Sequence, residues 1–285
     1  MTTATSDRSN AEGARTCQML GFRFDALTMA QAVQRCMLAL DQQTYLQIGV
    51  INAAKVVTMR RNDDLREAVT ECGMILADGQ AVVWASKMLG TPLPERVAGI
   101  DLFTELLAEA ERLRQSVYFL GARPEILGRM LTEIRSRFPD LRIAGARDGY
   151  FGPGEEADVA ADIRASGASL LFLGMPSPKK ELFLSRQGAA TGALVVHGVG
   201  GSFDVLAGLT KRAPIWYQQH GLEWFYRARQ EPLRLGRRYL KTNLAFMLLV
   251  AREVLATRLH SRPEQPGAQP DHSGSGGNQP PEVST

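Results

Sequence analysis

The sequence predicts an α/β fold: a mostly parallel, Rossmann-like sheet flanked by helices, with a basic helical C-terminal appendage and disordered termini. Three observations predict it. Short apolar runs alternate with longer amphipathic ones between residues 18 and 212, the pattern of strands and covering helices. Several of those runs end in Gly, Asn or Asp and hand over directly to a helical pattern, as strands of a parallel sheet do. After Ala213 the composition turns basic and aromatic.

Taken in order, residues 1–17 are small and polar and have too little to bury, so they are expected to be disordered. "YLQIGVIN" is the first strand-like run, followed by a helical pattern over 53–70; "GMILAD" precedes 79–89, "SVYFLG" precedes 123–137, "LRIAGARDGYF" precedes 155–166 and "SLLFLGM" precedes 178–190. The last strand-like run is "ALVVHGVGG". Over 101–114, Leu102, Leu106, Leu107 and Leu113 recur at near-helical spacing while Glu105, Glu109, Glu111 and Arg112 fill the other face, with Asp101 as the expected N-cap. In 123–137, Pro124 falls in the first turn, where its missing N–H costs little, and Pro139 lies just past the end. Residues 18–212 are thus expected to form one Rossmann-like domain and 213–260 the appendage. The segment 261–285, rich in Pro, Gly, Ser and Gln, is expected to be a disordered tail.

A chain of 285 residues that is 45% hydrophobic can bury a sizeable core. A net charge of only +3 argues against a chain-wide polyanion binder, so its positive charge matters locally. It gathers at Arg227, Arg229, Arg234, Arg237, Arg238, Lys241, Arg252 and Arg258, interleaved with Trp216, Trp224, Phe225, Tyr226 and Tyr239. Cys17, Cys36 and Cys72 have no metal-like spacing and suit free thiols in a reducing compartment. The N-terminus carries no apolar signal segment, and no run reaches the length of a membrane span, so a cytoplasmic protein is expected. The four histidines show no ligand spacing and Ser202 lies outside a G-x-S-x-G elbow; neither a metal nor a cofactor is expected.

The junctions "FLGARPE", "FLGMPSPKKE" and "HGVGGSFD" put small residues where a sheet edge meets a helix N-terminus, a place where α/β proteins bind phosphates. Asp78, in "LADGQAVVW", is open to two readings: a helix cap or Asx-turn, or a general base. Asn52 either caps the helix from 53 or bonds a sugar hydroxyl. Because these two residues end consecutive strands, they are candidates to share one cleft. Arg96 is either a solvated loop charge or a partner for a diphosphate. Lys179 and Lys180, opening a helix after Pro178, are either a solvated face or phosphate contacts.

Eight stretches in order, "INAAKVV", "LADGQAVVW", "ERVAGIDL", "FLGARPE", "DGYF", "GMPSPKKELFL", "HGVGGSFDVLAGLTKRAP" and "GLEWFYRARQEPLRLGRRYL", resemble the WecG/TagA/CpsF family of bacterial glycosyltransferases over about residues 18–255. The resemblance implies metal-independent, inverting transfer of a sugar from a UDP-sugar to a polyprenyl-diphosphate-linked saccharide, in surface or exopolysaccharide biosynthesis, on the inner face of the plasma membrane. It implies Asp78 as the general base, Asn52 as an active-site residue and Arg96 near the donor diphosphate. Tyr150 would stack on uracil, Asp204 would bond the base, and Gly79, Gly200 and Gly201 would let the backbone approach the substrates. Lys179, Lys180 and Glu181 would line the phosphate site, while Arg227, Arg234 and Arg237 would close over the departing UDP.

Two positions depart from the family pattern: Val50 where Thr is common, and Lys180 where many members have Gln. The appendage is expected to dock on an anionic leaflet, with Leu244, Phe246, Met247, Leu248, Leu249 and Val250 dipping in. Homo-oligomerisation is left open. A nicotinamide oxidoreductase is a weaker alternative, since no G-x-G-x-x-G with a following acidic residue is clear. A nucleic-acid module built on the basic segment is also weaker, since the apolar run at 244–250 suits lipid or core better than bases.

Overall fold

The computed structural model describes residues 15–152, 154–219, 222–230 and 237–260. The tail expected over 261–285 and all but the end of the segment expected to be disordered over 1–17 lie outside the described residues. Thr16 and Cys17, placed in that segment by composition, instead form β1 (Thr16–Met19) of an antiparallel hairpin with β2 (Phe22–Asp25). The alternation Cys17, Met19, Phe22, Phe24 buries one face of this hairpin.

The chain then runs through α1 (Met29–Asp41), β3 (Leu46–Ile51), α2 (Ala53–Met59), α3 (Asp63–Thr70), β4 (Met74–Ala77), α4 (Gln80–Met88), α5 (Gly99–Arg112) and β5 (Ser116–Gly121). It continues through α6 (Pro124–Arg137), β6 (Arg142–Arg147), α7 (Glu156–Ser166), β7 (Leu170–Gly174), α8 (Lys179–Gln187), β8 (Val195–Gly198) and α9 (Ser202–Leu206). The C-terminal helices are α10 (Ile215–Gln219), α11 (Glu223–Gln230) and α12 (Arg237–His260). Strands β3 to β8 form one sheet in the order β4-β3-β8-β7-β5-β6, every pairing parallel. All six C-terminal ends therefore open on one rim. Strands β3 and β8 inside the sheet and β4 on one edge are buried at every position, as a sheet covered on both faces requires, while β6, on the other edge, is only partly covered.

The expected helix over 53–70 is two helices. Asn62, whose side chain accepts from the Leu65 N–H, starts the second and lets the chain turn at Arg60–Arg61. The helix expected from Asp101 starts earlier, at Gly99 with Ala98 as N-cap. Asp101 lies in its first turn, where its carboxylate meets Arg96 and Arg212. Phe103 anchors α5 to the sheet through Phe172, 4.7 Å between ring centroids, and also contacts Phe119 and Phe203. That packing holds the start of α5 at the rim.

The appendage departs from expectation most. Phe246 and Val250 of α12 are buried in the cluster containing Val56, Val57 and the hairpin, and Leu249 packs against it. Only Leu244, Met247 and Leu248 of the expected membrane-facing set are exposed, continued by Leu255. A run of consecutive apolar residues winds around a helix, so one side meets α2 and the other faces out. The Glu253 carboxylate also accepts from the Leu20 N–H at 2.8 Å, tying α12 to the hairpin. No helix among the described residues is long and apolar enough to cross a membrane.

Candidate active site

Asp78 stands immediately past β4, half-buried on the rim. Its backbone N–H donates to Ile51 C=O at 2.9 Å, and the Val97 N–H donates to Ala77 C=O at 3.0 Å, so the segment 95–99 lies along the end of β4. The side chain does not cap the helix that follows it: α4 begins at Gln80, with Gly79 as N-cap and no side-chain cap. Instead Oδ1 accepts from the N–H of Gly99 at 3.4 Å, supplying the start of α5 with the acceptor that Ala98 cannot offer. This contact uses one oxygen and leaves Oδ2 free of any hydrogen bond among the described residues.

Asn52 ends β3 beside it and caps α2, Oδ1 accepting from the Lys55 N–H at 3.0 Å. Gly79, at φ +157°, lies beside Asn52, and an added Cβ would sit 3.5 Å from the Asn52 Cβ, an ordinary contact distance. One turn into α2, Lys55 reaches Glu181 at 2.8 Å, and Lys180 reaches the same oxygen at 2.7 Å. All three side chains are nine-tenths buried. Burial drives the Glu181 carboxyl upward, but Lys55 and Lys180 outweigh it and hold the pKa at about 2. Burial, aided by Lys55, lowers Lys180 to about 8, while Glu181 and Asp78 act in the opposite sense. Lys180 thus shares the electrostatic environment of Asp78, and its Nζ lies 3.9 Å from where a Gly200 Cβ would be.

The other end of the rim is open. Tyr150 is 69% exposed, its hydroxyl accepting from Arg123 Nε at 3.3 Å. Lys179 does not reach outward: its Nζ donates to the carbonyls of Gly149 at 2.8 Å and Phe151 at 3.3 Å and lies 4.1 Å over the Phe151 ring. It fixes the loop that carries Tyr150. Gly200, at φ +56°, and Gly201 make the turn into α9, with Asp204 in its first turn. Hydrogen bonding to Tyr150 raises the pKa of Arg123, and the charge of Asp204 contributes. That places Arg123, Tyr150 and Asp204 in one neighbourhood.

Arg96, 13% exposed, pairs with Glu223 of α11 at 2.5 Å and with Asp101 at 3.8 Å. It links the rim to the appendage. Arg234 lies outside the described residues, and for Arg227 and Arg237 only the helical backbone is described. Among the described residues no group of three or more His, Cys, Asp or Glu is placed to hold a metal ion.

Three residues of the rim were not singled out as functional in the sequence: Lys55, Arg123 and His197. Each left a signal. Lys55 interrupts the apolar face of a short helix, and Arg123 places a cation against a helix N-terminus, where the dipole disfavours it. His197 is a polar residue inside a strand of apolar ones, and it is fully buried with Nε2 3.2 Å from Gly99 C=O.

The profile of the glycosyl transferase WecG/TagA/CpsF family matches residues 17–260. The chain is 33% identical, over 235 residues, to the N-acetylglucosaminyldiphosphoundecaprenol N-acetyl-beta-D-mannosaminyltransferase of Bacillus spizizenii, a match spanning 82% of this chain and 86% of that relative. The match runs from the hairpin through α12 and takes in both ends of the rim. A parallel sheet whose C-terminal edge gathers Asp78, Asn52 and the lysine–glutamate cluster thus has its place among known proteins: the chain belongs to the WecG/TagA/CpsF family of glycosyl transferases.

Proposed function

We propose that this glycosyltransferase moves a sugar, with inversion and without a metal, from a UDP-sugar to a polyprenyl-diphosphate-linked saccharide on the cytoplasmic face of the membrane. The single observation that carries the reading is Asp78: a half-buried carboxylate on the rim, oriented by the Gly99 N–H, with Asn52 and Lys180 around it. The acceptor hydroxyl attacks the anomeric carbon, the bond from that carbon to the UDP β-phosphate oxygen breaks, and Asp78 takes the hydroxyl proton. Negative charge grows on the departing UDP. Lys180, on which the charge of Asp78 acts, is one cation of the rim, and Arg96 joins it by exchanging Glu223 for phosphate oxygens. The Arg227, Arg234 and Arg237 side chains complete the neutralisation when the appendage closes. At the open end, Tyr150 stacks on uracil and Asp204 accepts from the base, while Gly200 and Gly201 admit the nucleotide backbone.

The appendage supplies the membrane contact. Ile215, Trp216 and Phe225 are exposed, as is the outer stripe of α12, flanked by exposed Lys241 and Arg252. Aromatic and basic residues together favour an anionic interface. Binding to phosphatidylglycerol vesicles at low salt, with none to phosphatidylcholine vesicles, is the expected outcome.

The relative from Bacillus spizizenii is named for N-acetylmannosamine transfer to N-acetylglucosaminyl-diphosphoundecaprenol, so UDP-N-acetylmannosamine and a short-chain polyprenyl-diphosphate N-acetylglucosamine head the panel of substrates to test. A product heavier by one sugar residue, formed undiminished in the presence of a chelator, is expected. Asp78→Asn should lose about 10³-fold in turnover while keeping its UDP affinity. Wild-type turnover in that variant would remove Asp78 from the base role.

A further inference from the structure

His197 lies at the centre of the sheet, on β8 between Ile48 of β3 and Phe172 of β7, and is 0% exposed. Its Nε2 is 3.2 Å from the Gly99 carbonyl, which can only accept, so the ring carries its proton on Nε2. Nδ1 has no partner among the described residues. Burial, together with the charges of Lys55 and Lys180, lowers the pKa to about 4 against the pull of the Gly99 and Ile48 backbone, and the ring is neutral at the pH of transfer. A buried ring with one satisfied nitrogen is an expensive way to fill a strand position. What that nitrogen holds is residue 99, whose own N–H is the donor to Asp78.

The start of α5 is also held by the packing of Phe103 on the sheet, by the ion pairs of Asp101 with Arg96 and Arg212, and by the Val97 N–H on β4. Ala98 offers no capping side chain, and Asp78 supplies the side-chain acceptor for the Gly99 N–H. Asp78 Oδ1 accepts over a long 3.4 Å, a bond sensitive to small movements of residue 99. We propose that His197 is a positioning residue for transfer: by donating Nε2–H to the Gly99 carbonyl it fixes residue 99, whose N–H in turn aims the Asp78 carboxylate at the acceptor hydroxyl. This inference rests on Asp78 being the base.

The test is a matched pair of neutral amides. In His197→Gln the side-chain nitrogen reaches about as far as Nε2 and restores the bond; in His197→Asn it falls short. Turnover with the UDP-sugar and lipid-diphosphate acceptor should drop about 10- to 100-fold in the Asn variant, the cost of a misplaced catalytic group, and recover most of that in the Gln variant, with UDP affinity in both within about 2-fold of wild type. In an Asp78→Asn background neither substitution should lower the residual rate further. By NMR, the Gly99 amide proton should shift when Asp78→Asn is introduced into the wild type or the His197→Gln variant and stay still when it is introduced into the His197→Asn variant. Equal turnover of the two variants, the same fold-loss with and without Asp78, or an equal Gly99 amide shift in the His197→Asn background would overturn the positioning role. Full turnover of Asp78→Asn alone would instead overturn the base role, a distinguishable failure.

Discussion

The two ends of the rim place their polar residues in opposite environments. Around β3, β4 and β8, Lys55, Lys180, Glu181 and His197 are buried and bonded to one another or to backbone, and Asp78 is held by its own N–H on Ile51 C=O and by the Gly99 N–H on Oδ1. Around β5 and β6, Tyr150 is mostly exposed: its hydroxyl accepts from Arg123, its N–H donates to Asp148, and Lys179 ties down the loop that carries it. A group that must accept a proton from one direction gains from being fixed before substrate arrives. A ring that receives a flat nucleobase gains from an open face, with the stacking itself supplying the order. Stability should therefore respond to substitutions at the first end and nucleotide affinity to those at the second.

The largest expected separation comes from Glu181→Gln. It leaves Lys55 and Lys180 buried without their shared anion and should cost about 3–5 kcal/mol in chemical denaturation, whereas a loss below about 1 kcal/mol would mean that the cluster relaxes into water. Tyr150→Ala should do the reverse, weakening UDP binding by about 10-fold, the size of one lost stacking contact, with an unchanged melting temperature. A comparable fall in melting temperature would show that the open end is structural after all.

Acid should separate the ends as well. His197 is lowered from its ordinary 6.5 to about 4, so the unfolded chain takes up this proton first, and stability that is complete above pH 6.5 is lost as pH falls toward 4. Glu181, lowered from 4.5 to about 2, adds a second loss between pH 4.5 and 2. His197→Gln should flatten the upper part of the melting-temperature profile, and Tyr150→Ala should leave it as in the wild type. The smallest effect expected is that of Lys179→Met, which keeps the contact with Phe151 but releases two carbonyls of the Tyr150 loop. UDP affinity should fall about 3-fold by calorimetry.

Residues 213–260 show where local pattern stops informing. The six apolar residues from Leu244 to Val250 read as one membrane-facing run, yet Phe246 and Val250 complete the core over α2. Truncating the chain at Ala213 would remove part of the core along with any membrane contact. Asp101 looked like a cap because it precedes a run of leucines, but the helix starts two residues earlier, where Asp78 supplies the acceptor. Lys55 and Glu181 stand 126 residues apart, and neither sequence neighbourhood announces the other.

The alternation of apolar runs and amphipathic stretches was enough, by itself, to determine a parallel α/β sheet with Asn52 and Asp78 at the ends of consecutive strands, because strand and helix periods and the Gly, Asn and Asp that end them act over a few residues. Ordered motifs were enough to determine the family. Which helix Asp78 caps, which lysines share Glu181, what His197 holds and which side of α12 is core were decided only in the tertiary structure. Those contacts join segments tens to hundreds of residues apart, and burial or distance between them appears only once the strands have taken their order in the sheet.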